Sequence, residues 1–373
     1  MSAHRTVLLP DGESELALRV LRCLSQEPGI SVYALSRDRW SPIRFSRHLA
    51  GFESHSADGF DRERLARIKS AARKFKVDII LPVEIPSIKL LVDNRDEVER
   101  IAAIPPLSPS ELFDVVSDKW RFAQFLEQEG IPHPKTIYID RDELAEARLP
   151  ELRFPILAKP RRASGGHGIR RFDRYHDALR WISEGRGISD IIFQEFVDGG
   201  LIDCNILSQR GEILAHTIQK ALIPSGSPYK PPAGLEFVDN DHALAITAKL
   251  LRALEWSGVA NFDLIYDQER GETRVLEMNP RYWRSLLGSL VAGVNFPALS
   301  CLASEGRTFG PPKYRHVRYV KPETSLGLLM GKFFGRASPI SSLGETGLPF
   351  ILRDPIPEVA IMLSRSTQTG SSP

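Results

Sequence analysis

The chain has 373 residues, 42% of them apolar, enough for two or three domains with cores of their own. Forty-nine Lys and Arg against 47 Asp and Glu leave a net charge of +2, so nothing calls for nucleic acid or an anionic membrane as partner. Cys23, Cys204 and Cys301 are odd in number and lack metal-binding spacing, and neither Met1 to Pro10 nor the broken apolar stretch 289–303 suits a leader or a membrane span, so a cytoplasmic protein is expected.

Thr6 to Pro10 reads as an apolar strand, followed by Asp11-Gly12 and a helical pattern in Leu16, Leu18, Val20, Leu21 and Leu24. Strands at Ile30 to Leu35 and Val77 to Val83, with a helix at Asp61 to Phe75 between them, predict a doubly wound parallel sheet. Ligands of such sheets sit beyond the carboxyl ends of the strands, where Asp11, Gly12 and Glu84 fall. Gly12 stands alone in its turn, so the dinucleotide fingerprint is missing. Arg44 to His48 is a basic loop, suited to a substrate carboxylate or simply to water. The proline-rich run 104–109 reads as a linker.

A helix is expected over Asp118 to Glu129, with Lys119 in its first turn. A cation there opposes the helix macrodipole, so either it frays into solvent or an anion holds it. Strand Thr136 to Ile139 follows. Strand Phe154 to Pro160 then carries Lys159 to the loop Arg161 to Ile169. Gly165, Gly166 and Gly168 let backbone N–H groups of that loop point into one concavity, which with Lys159 at its rim suits a polyphosphate. A plain flexible turn has the same composition, and the lysine precedes the glycines, unlike a Walker A loop. After a helix at Tyr175 to Ser183 and a strand at Ile191 to Val197, the segment Gln194-Glu195-Phe196-Val197 breaks into Gly199-Gly200. It could offer backbone groups to a flat heterocycle while Asp203 accepts from sugar hydroxyls, or be an ordinary hairpin. Strand Glu212 to Gln219 leads to a lid-like loop at 224–234, and a helix at Asp241 to Leu254 precedes the most informative stretch.

That stretch is Asn261 to Arg281. Apolar and polar residues alternate on both sides of Asp267 to Glu272, with Gly271 for the turn, which predicts a β-hairpin. A turn centred on Arg270 pairs Asp263 with Glu277 and Asn261 with Asn279, placing all four on one face and Phe262, Leu264, Leu276 and Met278 on the other. Facing carboxylates repel unless a cation lies between them, and few hard oxygen ligands with room for phosphate oxygens suit magnesium. A solvated hairpin would show the same alternation. From Arg307 onward the sequence holds short basic and apolar pieces, and Ser366 to Pro373 reads as a disordered tail.

The order of these pieces, helix lysine, strand lysine, glycine loop, Gln-Glu-Phe-Val, carboxylate and Asp…Glu-x-Asn-Pro-Arg, resembles the ATP-grasp superfamily and its carboxylate-amine ligase branch, over Thr6 to about Ala303. The resemblance implies an α/β protein with an N-terminal doubly wound pre-ATP-grasp domain (1–107) and an ATP-grasp domain (108–306). The latter would divide into a small ATP lid at 135–197 and a larger catalytic sheet at 198–306, with a C-terminal extension (307–373). It also implies an ATP-dependent ligase that activates a small carboxylate, such as an amino acid, as an acyl phosphate and joins it to an amine. ATP and magnesium, with manganese as alternative ion, would be the cofactors. Lys119, Lys159, Ser164, Gly165, Gly166 and Gly168 would hold the phosphates, Gln194, Glu195, Phe196 and Val197 the adenine, and Asp203 the ribose. Asp263, Glu277 and Asn279 would ligate metal, with Glu277, Asn279 and Arg281 catalytic. Lys220 stands where relatives often place Arg. A small-molecule kinase and a non-catalytic ATP-binding module are the alternatives, and a homodimer is left open.

Overall fold

Strands β1 (Arg5–Leu9), β2 (Ile30–Ser36), β3 (Leu49–Ser54) and β4 (Ile79–Ile80) form a first sheet in the order β3-β2-β1-β4, wholly parallel. This is a computed structural model, and it describes residues 4–55, 61–139, 145–163, 165–184, 190–226, 229–333, 339 and 342–369. Val7, Leu8 and Leu9 are fully buried, as a strand covered on both faces requires. The expected strand 77–83 is regular only at Ile79–Ile80; the Asp78 and Leu81 N–H groups still bond to the Thr6 and Leu8 carbonyls at 2.9 Å each, and the segment beyond is held by Asp11. Its buried carboxylate accepts from the Val83 and Glu84 N–H groups at 2.8 and 3.2 Å, from Arg64 at 2.9 Å and from the Ser87 hydroxyl. Asp11 is thereby a structural anchor with its acceptor capacity used, and not the ligand contact its position suggested.

Strands β5 (Thr136–Tyr138), β6 (Ile156–Pro160), β7 (Arg170–Phe172) and β8 (Ile191–Glu195) form an antiparallel sheet in the order β5-β8-β6-β7. Ile137, Ile156, Ala158, Phe172 and Phe193 bury one face against Ala178 and Ile182 of the helix Tyr175–Ser183. The register places Thr136, Gln194, Leu157 and Arg171 in a row on the other face.

The third sheet comprises β9 (Gly199–Gln209), β10 (Glu212–Ile223), β11 (Gly234–Phe237), β12 (Gly258–Asp267), β13 (Glu272–Asn279) and β14 (Arg318–Val320). It is antiparallel, in the order β13-β12-β9-β10-β11-β14. Cys204, Ile206, Ala260, Phe262, Leu264 and Met278 pack one face against the helices Asp241–Ala253, Lys119–Gln128 and Ser110–Ser117. A fully buried Phe or Leu is worth roughly 1.5–3 kcal/mol, so this face fixes the register. Along the opposite face Leu207 and Val259 meet Tyr282, Trp283 and Leu286, whereas Asp203, Asn205, Asn261 and Asp263 make the other end polar.

The basic segment 44–48 is largely spent on structure. Its first residues lie in the 3-10 turn Pro42–Phe45, Arg44 stacks 5.5 Å from Trp40, and Asp354 accepts from Ser46 Oγ at 2.6 Å and the Arg47 N–H at 3.0 Å. The C-terminal region is more ordered than its composition suggested. The helix Ile356–Thr369 packs on that turn, so residues 366–369, expected to be disordered, are helical. The apolar stretch near 289–303 divides into helices Leu286–Ala292 and Phe296–Ser304, bent by 89°, and among the described residues no single helix is long and apolar enough to cross a membrane.

Candidate active site

The β12–β13 hairpin carries the pairing read from the sequence, Asn261 opposite Asn279 and Asp263 opposite Glu277. Beyond Asp263 a β-bulge shifts the register, so Leu264 faces Val275 and Leu276 is the extra residue. Val275 therefore enters the core where Leu276 was expected, and Leu276 is only half-buried. On its other side β12 pairs with β9, which brings Asp203 directly opposite Asp263. Asp203, Asp263 and Glu277 thus form a row across three neighbouring strands.

Such a row is unfavourable without cations. Burial, reinforced by the charges of Asp203 and Glu277, pushes the Asp263 carboxyl well above the ordinary aspartate range, while Lys119 and Arg281 oppose the rise. Burial likewise raises Asp203, against a hydrogen bond from Gln219 Nε2 at 2.9 Å and the charge of Lys321. Asp203 was expected to meet a sugar. It stands instead in the carboxylate row, four strand residues, or about 13 Å, from Gly199 at the far end of β9.

Beside the row runs a series of amides. Asn279 Nδ2 donates to Asn261 Oδ1 at 3.4 Å, Asn261 Nδ2 to Asn205 Oδ1 at 3.0 Å, and Asn205 Nδ2 to Thr217 Oγ1 at 3.2 Å. Each amide donates in the same sense, so the Asn279 carbonyl oxygen, at the end of the series, is not used within it. Asn205 and Thr217 carry no motif, and only the β9–β12 pairing, between strands some 55 residues apart, reveals them.

Two lysines meet this row. Lys119, at the start of the helix Lys119–Gln128, lies 3.6 Å from Glu277 and donates to the Ala163 carbonyl at 2.5 Å, so an anion does hold it. Lys159 Nζ donates to Gln194 Oε1 at 2.6 Å, and Gln194 Nε2 donates to Thr136 at 2.8 Å. Burial lowers Lys159 to about 8, with Glu277 and Asp263 resisting and Lys119 assisting. Asp118, which caps the same helix, receives Arg161 at 2.6 and 3.1 Å, and this clamp ties the end of β6 to the helix carrying Lys119. Sequence reading gave neither partner a role.

In the glycine loop, Gly165, Gly166 and Gly168 have φ of 70°, 77° and 74°. A Cβ on Gly166 would lie 2.0 Å from the carbonyl oxygen of Tyr229, so the backbone at Tyr229 packs directly on the glycine turn. Ser164 lies outside the described residues. At the opposite end, the Glu195 and Phe196 N–H groups are bonded to the Lys135 and Pro155 carbonyls at 3.0 and 2.9 Å, and Arg171 stacks 4.3 Å from the Phe196 ring. A cavity of about 550 Å³ opens there, bordered by Arg171, Phe196, Val197 and Asp267. Lys220 is placed away from all of this. It pairs with Ile202, on the reverse of the sheet from Asp203, and bridges to Glu236 at 3.2 Å.

No three carboxylate, imidazole or thiolate groups among the described residues converge closely enough to cage an ion. Two carboxylates and an amide oxygen, with Asp263 held high by its uncompensated neighbours, fit a magnesium ion that completes its shell with phosphate oxygens and water.

A family model for the ATP-grasp domain matches residues 116–285. Among curated proteins, the C-terminal section of the carbamoyl phosphate synthase large subunit of Methanopyrus kandleri is 26% identical over 223 residues, 56% of this protein and 38% of that one. D-aspartate ligase of Enterococcus faecium is 22% identical over 321 residues, 78% of this protein and 74% of its own length. The sequence spans 20% to 38% of the length of the first four carbamoyl phosphate synthase relatives it matches. N5-carboxyaminoimidazole synthetase from Staphylococcus aureus, solved with ADP, superposes with a TM-score of 0.69 over 90% of this protein and 87% of that one at 15% identity, which shows a shared fold. The lysines, glycine turn and carboxylate hairpin derived above all fall within residues 116–285, the part of the protein that matches the ATP-grasp domain.

Proposed function

We propose that the protein is an ATP-dependent ligase that activates a small-molecule carboxylate as an acyl phosphate and joins it to an amine, releasing ADP and phosphate. The observation that carries this reading is the row Asp203-Asp263-Glu277 set against Lys119 and Lys159, negative and positive groups arranged to hold metal and phosphate together. The resemblance to D-aspartate ligase over three quarters of that protein supports an acid or amine of amino-acid size.

Asp263, Glu277 and Asn279 would hold magnesium, which when bound supplies neutralisation of the charge on the transferring phosphoryl group. Lys159 and Lys119 bind the phosphates from the other wall, exchanging Gln194 and Glu277 for phosphate oxygens, while the glycine turn covers them. With the Glu195 and Phe196 N–H groups already engaged, a base at the hinge is read through Val197 and the segment's carbonyls. Arg281 orients the acid, whose own oxygen attacks the γ-phosphorus as ADP leaves. The amine then attacks the acyl carbon, loses a proton and expels phosphate. No protein nucleophile is needed, and none of the cysteines could serve: all three are buried, and burial pushes Cys204 and Cys301 up to about 12.

The test is ADP release measured over pairs of amino acids and small acids. A ligase releases ADP only when acid and amine are both present, a small-molecule kinase needs one acceptor, and a non-catalytic module binds ATP without turnover under every pair.

A further inference from the structure

Lys321 reaches the active face of the third sheet from β14, outside residues 116–285. β14 pairs antiparallel with β11, Tyr319 opposite Leu235 and Val320 opposite Gly234, and the Lys321 N–H continues the ladder to the Ala233 carbonyl at 3.0 Å. Side chains two apart share a face. Tyr319 is buried with Leu235, Phe237 and Leu286 beneath the active face, while Arg318 lies on the reverse, 3.8 Å from Glu236. Lys321 therefore projects with Tyr319, on the side of Asp203 and Gln219, and its charge is one of those acting on Asp203.

The strand order makes the placement informative. Lys119 touches Glu277 at the β13 end of the carboxylate row, whereas Lys321 enters beyond its Asp203 end. β9 and β14 are three strands apart, about 14 Å, more than a direct lysine–aspartate pair spans. The intervening floor on β10 is Gln219, bonded to Asp203 and to Ser285 Oγ at 2.9 Å each, and Ala221, small and exposed. These two residues form the floor between Asp203 and the cation of Lys321.

We propose that Lys321 binds the carboxylate of the acid substrate over this floor, and then the phosphate formed from it, opposite the lysines that hold ATP. The proposal rests on the ligase reading and adds to it the acceptor side of the site and a role for the segment beyond residue 306. It is tested on the full-length protein by calorimetry, titrating MgADP and then inorganic phosphate into the MgADP complex, for the unsubstituted protein, Lys321→Met and Lys321→Arg. The expected result is MgADP affinity within about twofold in all three, phosphate affinity about tenfold weaker in Lys321→Met, and recovery to within about threefold in Lys321→Arg, a loss typical of one charged contact. Unchanged phosphate affinity in Lys321→Met overturns the proposal and leaves the ligase reading standing. Loss of MgADP binding with a lowered Tm in both variants overturns it too, since Lys321 would then be holding the sheet. Failure of the unsubstituted protein to bind MgADP instead removes the ligase reading, and the proposal with it.

Discussion

Asp263 concentrates the cost of the site in one side chain. Its carboxyl is raised by burial and by two neighbouring carboxylates, so a metal ion, which needs the carboxylate, competes there with the proton. Magnesium affinity is expected to fall as pH is lowered, with proton release visible as a dependence of the calorimetric heat on buffer, and Asp263→Asn should remove that release. Because the folded value lies above the unfolded one, this group favours folding only at low pH and loses that contribution as pH rises through its folded value. Metal-free Asp263→Asn should therefore melt higher than the parent at neutral pH, checked by thermal melting. Lys159 has the opposite linkage. Lowered to about 8, it must take up a proton to hold phosphate above that pH, so ATP binding near pH 9 should consume protons and weaken, and Lys159→Met should abolish the uptake. The pairing of Asp263 with Glu277 was legible because a single turn sets it. Asp203 and Asn205 were not recognised as their neighbours, since that contact depends on which distant strand lies alongside.

At the scale of elements, the glycine turn and the hairpin show what local pattern determines. The spacing of Gly165, Gly166 and Gly168 predicted a loop able to fold over phosphate, and all three have positive φ. The contact of Gly166 with Tyr229 could not be read, because it joins two loops with no shared pattern. Gly166→Ala meets both a left-handed φ and a backbone oxygen, so ATP affinity is expected to drop about tenfold or more with little change in Tm, checked by calorimetry and thermal melting. The bulge after Asp263 explains why alternation misassigned Leu276, as one inserted residue exchanges the faces beyond it. β3 carries no legible pattern, because Leu49–Ser54 is a half-exposed edge strand without strong alternation. Val77 to Val83 is regular strand only at Ile79–Ile80, although Asp78 and Leu81 still donate to Thr6 and Leu8 of β1.

For the whole molecule, the C-terminal segment joins what the sequence presented as separate. β14 extends the third sheet, and the helix Ile356–Thr369 returns to the first sheet's edge, where Arg22 meets Glu358 at 2.7 Å and Asp354 is buried against Ser46 and Arg47. Asp354→Ala should leave two polar groups without their acceptor and cost about 1–3 kcal/mol in denaturant unfolding. The sequence offers only a C-terminal extension of short basic and apolar pieces, because Asp354 and Glu358 find their partners more than 300 positions away. The order of the chemical motifs, by contrast, was readable over most of the sequence, since ATP and metal constrain short segments whose residue types are individually informative.

The most direct test of the carboxylate row is the rate of ADP release by Glu277→Gln, compared with the parent on an acid and amine pair that supports turnover, with Tm measured alongside. Removing one charge from the metal and phosphate site should lower the rate by about a hundredfold or more while Tm holds or rises. Turnover at the parent's rate in a folded Glu277→Gln protein would contradict a metal and phosphate centre at Asp203, Asp263 and Glu277.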